Sequence, residues 1–377
     1  MKSICFVATS PFAVNAFLQG HLHMLAQHFQ ITLCVNTNEF QLSRNIDERV
    51  RVLHVPIARK ISPFNDLRAL IRLIAIFRQS SFDVVHSITP KGGALAMLAS
   101  FLCRVPNRIH TFTGQVWVTR AGAMRGLLKV VDRLIVGLAT TVLSDSASQS
   151  RFLEKELRLA AGRVGMLGAG SIAGVDVARF RPSEAVRRAI RQHLNVAEDA
   201  FVFLFVGRIA RDKGVFDLVT AFRHFGRSGC ANLSLWVVGP DEEGLGSELK
   251  SLAGDAGASV RWVGPSAEPE TFMAGADLLV LPSYREGFGL VVVEAAGCGI
   301  PTLAYEIDGV VDAVENGITG VLVPPRDVEA LTRKMEFMAG HPLHVKSLGL
   351  SARQRVVETF TATAVSEAWM DFYNQFA

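Results

Sequence analysis

Short apolar runs recur along the chain, and stretches of helical periodicity separate many of them. ICFVAT, ITLCVN, RVLHVPI, DVVHSI, NRIHTFT, TVLSDS and VGMLG precede Gly174; FVFLFVG, LSLWVVG, VRWVG, DLLVLPS, PTLAY and GVLVP follow it. Most of these runs are continuous in Val, Ile, Leu and Phe rather than alternating, as strands covered on both faces require. The intervening FLQGHLHMLAQHF, AVRRAIRQHL and VFDLVTAFRHF carry the period of amphipathic helices. This alternation predicts an α/β protein of two doubly wound parallel-sheet domains, with about seven strands and then about six. The join is expected near residues 168–184, where GAGSIAG and RPSE break the pattern. From about Ser351 the chain reads as helical and ends in WMDFYNQF.

Composition agrees with two sizeable cores: 377 residues, 49% hydrophobic and 20% charged, exclude a disordered chain. A mean hydropathy of +0.28 raises the question of a membrane. The longest uncharged apolar stretches, Gly92–Cys103 and Leu134–Ser144, are about a dozen residues, against the ~18 that a span needs. MKSICFVATSP has too brief an apolar run for a secretory leader and reads as a first buried strand. Cys5, Cys34, Cys103, Cys230 and Cys298 are scattered and odd in number, without CxxC or Cys/His spacing. A reduced cytoplasmic setting without structural zinc is expected.

The formal charge of +4 hides an asymmetry. Residues 1–172 hold 20 Lys and Arg against 9 Asp and Glu, net +11; residues 173–377 hold 19 against 26, net −7. Arg68 and Arg72, and then Arg125, Lys129 and Arg133, repeat at four-residue spacing, which puts each set on one helix face with Leu and Ile on the other. Such helices suit an anionic membrane surface; an ordinary solvated face is the alternative for each helix alone. No nucleic-acid module accompanies the charge, so nucleic acid is not expected as a partner.

Candidate chemistry concentrates in the second half. Gly168-Ala-Gly170-Ser-Ile-Ala173 matches the dinucleotide fingerprint, but Pro182 follows soon and no acidic residue ends the next strand, so an interdomain turn is expected. In FVFLFVGRIARDKG a strand ends at Gly207, and Arg208, Arg211 and Lys213 precede a helix from about Val215. Cations at a strand's carboxyl end beside a helix N-terminus suit a diphosphate. In LPSYREGFGLVVVEAAG, Glu286 follows a strand, Gly287 and Gly289 allow close backbone approach to a phosphate, and a helix begins near Gly289. Glu294 then lies ~7–8 Å along that helix. One carboxylate before the phosphate site and one beyond it fit a nucleotide-sugar, with Glu286 on sugar hydroxyls and Glu294 on ribose. A hydrolytic acid/base pair is the other use of two carboxylates.

At these residues the sequence resembles the family-4 retaining glycosyltransferases of the GT-B fold. The resemblance rests on Glu286-x7-Glu294, GRIARDKG (Gly207 to Gly214), GVDVARF (Gly174 to Phe180), Asp308-Gly309, Glu315-Asn316-Gly317 and Thr319-Gly320, in order over nearly the whole C-terminal half. The N-terminal half matches more loosely through DVVHSITPKGG, RIHTFTGQVW and SDSASQ, in the manner of bacterial enzymes that build lipid-linked polysaccharide or glycan precursors. The resemblance implies two facing Rossmann-like domains: residues 1–172 bind the acceptor, residues 173–355 the nucleotide-sugar, and a helix in 356–377 crosses back to the first.

It further implies that Arg208 and Lys213 neutralise the leaving diphosphate and that Glu286 positions the donor sugar. Gly207, Gly287, Phe288, Gly289, Leu290 and Glu294 would complete the donor site. Transfer would retain configuration, with no enzyme nucleophile and no metal cofactor; the nucleotide-sugar is a substrate. Many relatives carry His-Gly at the N-domain strand end, where this sequence has Thr113-Gly114 with His110 three residues earlier. Either His110 joins the catalytic set from a shifted position, or Thr113 and a backbone carbonyl replace it, or His110 is an ordinary core or surface histidine. Ser10 and Asn15, in a loop lacking the usual paired glycines, are assigned with Thr113 and Gly114 to a candidate acceptor region.

The expected activity is transfer of a UDP-linked hexose or N-acetylhexosamine to a lipid-linked saccharide at the cytoplasmic face of a membrane. A nucleotide-sugar epimerase or NAD-dependent oxidoreductase on a similar frame is the alternative enzyme, and a membrane-binding scaffold the alternative without chemistry.

Overall fold

The structure, a computed structural model, describes residues 1–38, 41–58, 62–226 and 232–376; Cys230 lies outside them. The chain forms two compact units, Met1–Gly174 with Ala362–Ala377, and Val175–Thr361. The first join therefore falls at Gly174 rather than residue 172. The terminal segment changes unit at Ala362, not at residue 356. The preceding helix runs on to Thr359, and Val356 and Phe360 are buried in the core of the second unit.

The first unit runs β1 (Ser3–Val7), α1 (Pro11–Phe17), α2 (Gln19–Leu25), β2 (Gln30–Val35), β3 (Arg51–His54) and α3 (Pro63–Gln79). It continues β4 (Val84–Ser87), α4 (Pro90–Leu102), β5 (Asn107–Phe112), α5 (Gly122–Leu138), β6 (Thr141–Ser144), α6 (Ala147–Leu157) and β7 (Val164–Met166). All pairings are parallel, in the order β3-β2-β1-β4-β5-β6-β7.

The second unit begins with α7 (Glu184–His193), β8 (Phe201–Val206), α8 (Val215–Gly226), β9 (Leu233–Val238), α9 (Gly246–Ala253), β10 (Val260–Gly264) and α10 (Pro269–Gly275). It ends with β11 (Leu278–Leu281), α11 (Leu290–Gly297), β12 (Thr302–Tyr305), α12 (Val310–Ala313), β13 (Gly320–Val323), α13 (Val328–Gly340) and α14 (Pro342–Thr359). Its parallel order is β10-β9-β8-β11-β12-β13. In each sheet the winding reverses once, between β1 and β4 and between β8 and β11, and ligands of doubly wound sheets bind at such switch points.

Double coverage explains the unbroken apolar runs. Along β1, Ile4 and Phe6 enter one core while Cys5 and Val7 enter the other. Along β8, Val202 and Leu204 face one side and Phe203 and Phe205 the opposite one. Each buried Val, Leu, Ile or Phe among them stabilises the fold by about 1.5–3 kcal/mol.

The last helix, α15 (Ala362–Asn374), completes the first unit. Trp369 stacks on His21 with ring centroids 4.2 Å apart, and on His86 at 5.3 Å. The Tyr373 hydroxyl hydrogen-bonds His86 Nδ1 at 2.5 Å, and Ser366 Oγ meets His21 Nδ1 at 3.0 Å. Burial lowers the pKa of His21 to about 4 and of His86 to about 3, so both rings pack as neutral groups.

The two basic helices depart from the expected arrangement. On α3 the buried stripe is Ala69, Leu73, Ile76 and Phe77, while Phe64, Leu67 and Ile71 stand exposed beside Arg68 and Arg72. On α5, Leu127, Val130 and Leu134 face outward, and Lys129 is taken up by Glu156 at 2.5 Å. No helix among the described residues is long and apolar enough to cross a membrane.

Candidate functional site

The loops after β8 and β11 meet at the switch point of the second sheet. Gly214 has φ +65, and a Cβ there would stand 1.9 Å from the Pro282 carbonyl oxygen, so only glycine lets these loops approach. The Tyr284 amide donates to the Asp212 carbonyl at 2.9 Å, and Arg285 Nη2 donates to Asp212 Oδ2 at 2.7 Å. Below them, the hydroxyls of Tyr284 and Tyr305 donate to Asp217 Oδ2 at 2.9 and 2.7 Å. The two rings lie nearly parallel at 6.2 Å. The loops thus form one block.

Within that block Lys213 Nζ lies 2.6 Å from Glu286 Oε1, with both side chains mostly buried. Arg208 pairs with Glu242 at 2.9 Å and with Asp212 at 3.7 Å. These partners, with Glu286 nearby, outweigh the cost of burial and raise the Arg208 pKa. Gly289, at φ +87, caps α11 without a side-chain hydrogen bond, so the helix N-terminus carries its dipole with no side-chain cap. Gly207 precedes Arg208, Gly287 precedes the buried Phe288, and Leu290 opens the helix. Arg208, Lys213, Glu286 and the glycine turn therefore converge, whereas Arg211 is exposed and turns away to pair with Glu248 at 2.9 Å.

Glu294 lies farther along α11, among the apolar residues Val292, Val293, Ala295 and Ala296. Burial raises its pKa to about 7; the charge of Arg179 opposes the rise, and Glu270 adds to it. Arg179 is itself held by Glu270, donating to both carboxylate oxygens at 2.8 Å. The Glu294 carboxylate makes no hydrogen bond among the described residues.

In the first unit the sequence reading of His110 needs correction. His110 lies within β5, only 1% exposed; its Nδ1 meets Ser87 Oγ at 2.8 Å, and its Nε2 is enclosed without a partner. A Cβ on Gly93 would stand 2.3 Å from the ring, which shows how tightly the first turn of α4 covers it. Burial drives its pKa down to about 3. It is a core histidine, and Thr113 and Gly114 hold the strand's carboxyl end. Asn15 is likewise committed: its Nδ2 donates to the Gln41 carbonyl at 3.1 Å, and its Oδ1 accepts from the Ser43 amide at 2.9 Å. Ser10 is the buried N-cap residue of α1, and its side chain makes no capping hydrogen bond. Nearby, Thr9 and Thr89 hydroxyls meet at 2.7 Å across the switch point.

Sequence reasoning missed Asp212, Asp217, Glu242, Tyr284, Arg285 and Tyr305. The one available signal was the scarcity of tyrosine, three in the whole chain, two of them in this block. It also missed Gln115, just beyond Gly114, whose buried amide has neither atom partnered. After Gly168 and Gly170 the chain turns without forming a helix until Glu184, so the dinucleotide fingerprint lacks its helix.

Two family models match the chain, "Glycosyl transferases group 1" over residues 186–355 and "Glycosyl transferase 4-like domain" over residues 23–170. The capsular polysaccharide biosynthesis glycosyltransferase CapM of Staphylococcus aureus is 27% identical over 373 residues, 95% of this chain and 97% of that protein. The Escherichia coli UDP-Gal:alpha-D-GlcNAc-diphosphoundecaprenol alpha-1,3-galactosyltransferase is 23% identical over 336 residues, covering 88% of this chain and 86% of that one. Among solved structures, Anabaena HepE in complex with UDP-glucose superposes over all of both chains with a TM-score of 0.80 at 18% identity.

Proposed function

The chain belongs to the family-4-type glycosyltransferases of the GT-B fold, and from that premise we propose that it transfers a hexose or N-acetylhexosamine from a UDP-sugar to a lipid-linked saccharide in bacterial surface polysaccharide biosynthesis. The carrying observation is the Lys213–Glu286 contact of 2.6 Å at the switch point, beside the N-terminus of α11, whose cap is a glycine. The UDP-glucose in HepE and the UDP-galactose and diphospholipid in the name of the E. coli relative support the donor and acceptor classes.

In this reading the diphosphate displaces Glu286 from Lys213, and the freed carboxylate accepts from donor-sugar hydroxyls. The amides from Gly287 to Leu290 hold the diphosphate, and Glu294 accepts from the ribose. As the bond from C1 to the phosphate oxygen breaks, Lys213 and Arg208 stabilise the charge on the departing diphosphate. The acceptor oxygen bonds C1 on the same face, and its proton passes to the departing phosphate oxygen. Configuration is retained, and the two cations supply the compensation that a metal ion would otherwise bring. Ser10, Thr113 and Gly114 are the candidate acceptor residues, and a lipid-linked acceptor places the reaction at the cytoplasmic face of a membrane.

The test incubates the pure protein with a panel of UDP- and GDP-sugars and a sugar-diphosphate lipid, then reads UDP release and the anomeric configuration of the product by NMR. Acceptor-dependent release with a retained anomer is expected. Lys213→Ala should lower kcat by roughly 10²–10³-fold. The reading fails if no donor is consumed and if Lys213→Ala and Glu286→Ala leave nucleotide binding unchanged.

A further inference from the structure

Helices α3, α4 and α5 pack side by side on one face of the first sheet. Their inward residues, among them Leu73, Phe77, Met97, Ile135 and Val136, share one core. The outward surface of this layer is unusual. On α3, Phe64 is 81% exposed, and Leu67 and Ile71 are more than half exposed. On α5, Leu127 and Val130 are likewise more than half exposed, and Leu134 nearly so. Each trio follows i, i+3, i+7 spacing, so each forms a continuous stripe along its helix. Single exposed apolar residues need no explanation, but two stripes on one helix layer do.

The charges around the stripes indicate what covers them. Arg68, Arg72 and Arg78 are exposed on α3, and no ion pair holds them among the described residues. Arg133 is exposed on α5 and, among the described residues, donates to the Leu157 carbonyl alone. The only acidic residues on these helices are turned to other work: Asp66 binds Lys91 at 2.6 Å, and the mostly buried Asp132 accepts from Trp117 Nε1 at 2.7 Å. A second copy of the chain on this face would set arginine against arginine, a costly juxtaposition. A surface of anionic headgroups over acyl chains complements both features, taking the arginines above and the stripes below.

We propose that the outer face of α3 and α5 is a docking surface for anionic lipid bilayer, with Phe64, Leu67 and Ile71 and Leu127, Val130 and Leu134 entering the interface and Arg68, Arg72 and Arg133 binding lipid phosphates. The surface would hold the chain at the membrane where a lipid-linked acceptor resides, but docking requires neither donor nor acceptor.

Flotation of the full chain with vesicles tests it without any sugar substrate. Vesicles of phosphatidylcholine mixed with phosphatidylglycerol should bind the protein, and pure phosphatidylcholine should not. The pair Arg68→Gln and Arg72→Gln should weaken binding about fivefold per charge at low salt. Replacing Leu127, Val130 and Leu134 by Ser should weaken it by about tenfold or more, and should make the residual binding far more sensitive to salt. All these positions are exposed, and unchanged circular dichroism and melting verify the fold. No binding to anionic vesicles at low salt would overturn the proposal. So would binding that survives the serine triple variant unchanged, or a solution dimer that the same variant abolishes. Absence of transferase activity would leave the vesicle result standing, so the two readings fail separately.

Discussion

Glu294 is a carboxyl group kept close to its protonation point by its surroundings. Its folded pKa of about 7 lies above the ordinary 4.5, so the folded chain binds this proton more tightly than the unfolded chain. The associated stability is fully present below 4.5 and is lost as pH rises through 7. Function runs the opposite way, since the ionised carboxylate is the stronger acceptor for ribose hydroxyls. Titration calorimetry should show UDP affinity rising between about pH 6 and 8, and Glu294→Gln should bind weakly with no such slope. Gly214 offers a second test at this scale. Gly214→Ala forces a positive φ on a β-carbon that has no room against Pro282, and should destabilise the second unit by roughly 1–3 kcal/mol while weakening UDP binding. Equal melting temperatures and equal affinities would count against the close loop contact.

Among the elements, α15 is held by aromatic and imidazole packing. Trp369→Ala removes a ring stacked on two histidines, and should cost roughly 3–5 kcal/mol in denaturant unfolding of the first unit. The histidines also set an acid limit. Their folded pKa values of about 4 and 3 lie below the ordinary 6.5, so the unfolded chain binds more protons in that window. Stability is full above 6.5 and falls as pH drops toward 4, and melting scans across this range should show the decline. His86→Asn should flatten part of it.

The strands were legible in the sequence because each double-covered strand leaves an unbroken apolar run, and every one of the runs named forms a strand. The faces of α3 and α5 were not legible. An i, i+3, i+7 apolar pattern is the same whether it meets a core or projects from it, and only the packing of Leu73 and Phe77 decides. In the site, Arg208, Lys213, Glu286 and the glycine turn were readable because strand-end loops present them locally. Asp212 with Arg285 and Asp217 with two tyrosines were hidden because these partners are 67 to 88 residues apart in the chain. His110 misled through its nearness to Thr113-Gly114; three residues along a strand separate its carboxyl end from its buried middle.

Over the whole molecule, the +11 and −7 charges correspond closely to the two units, and each unit has its own cores. The segment Val175–Thr361 holds the complete sheet, both of its core layers and every donor-site candidate. Expressed alone, it should fold cooperatively and bind UDP with an affinity within about tenfold of the full chain, by circular dichroism and calorimetry. A segment that stays unfolded would show that its cores depend on the remainder.

The tie between the two loops of the second sheet has a thermodynamic consequence. Asp212, Asp217, Gly214 and Tyr284 fix both loops by contacts within the chain itself, so the entropy lost in ordering them belongs to folding and is not charged to the arriving ligand. Such preorganisation raises affinity without adding a contact. Asp217→Asn should therefore weaken UDP binding mainly through a less favourable entropy, although Asp217 is placed in none of the nucleotide-binding roles.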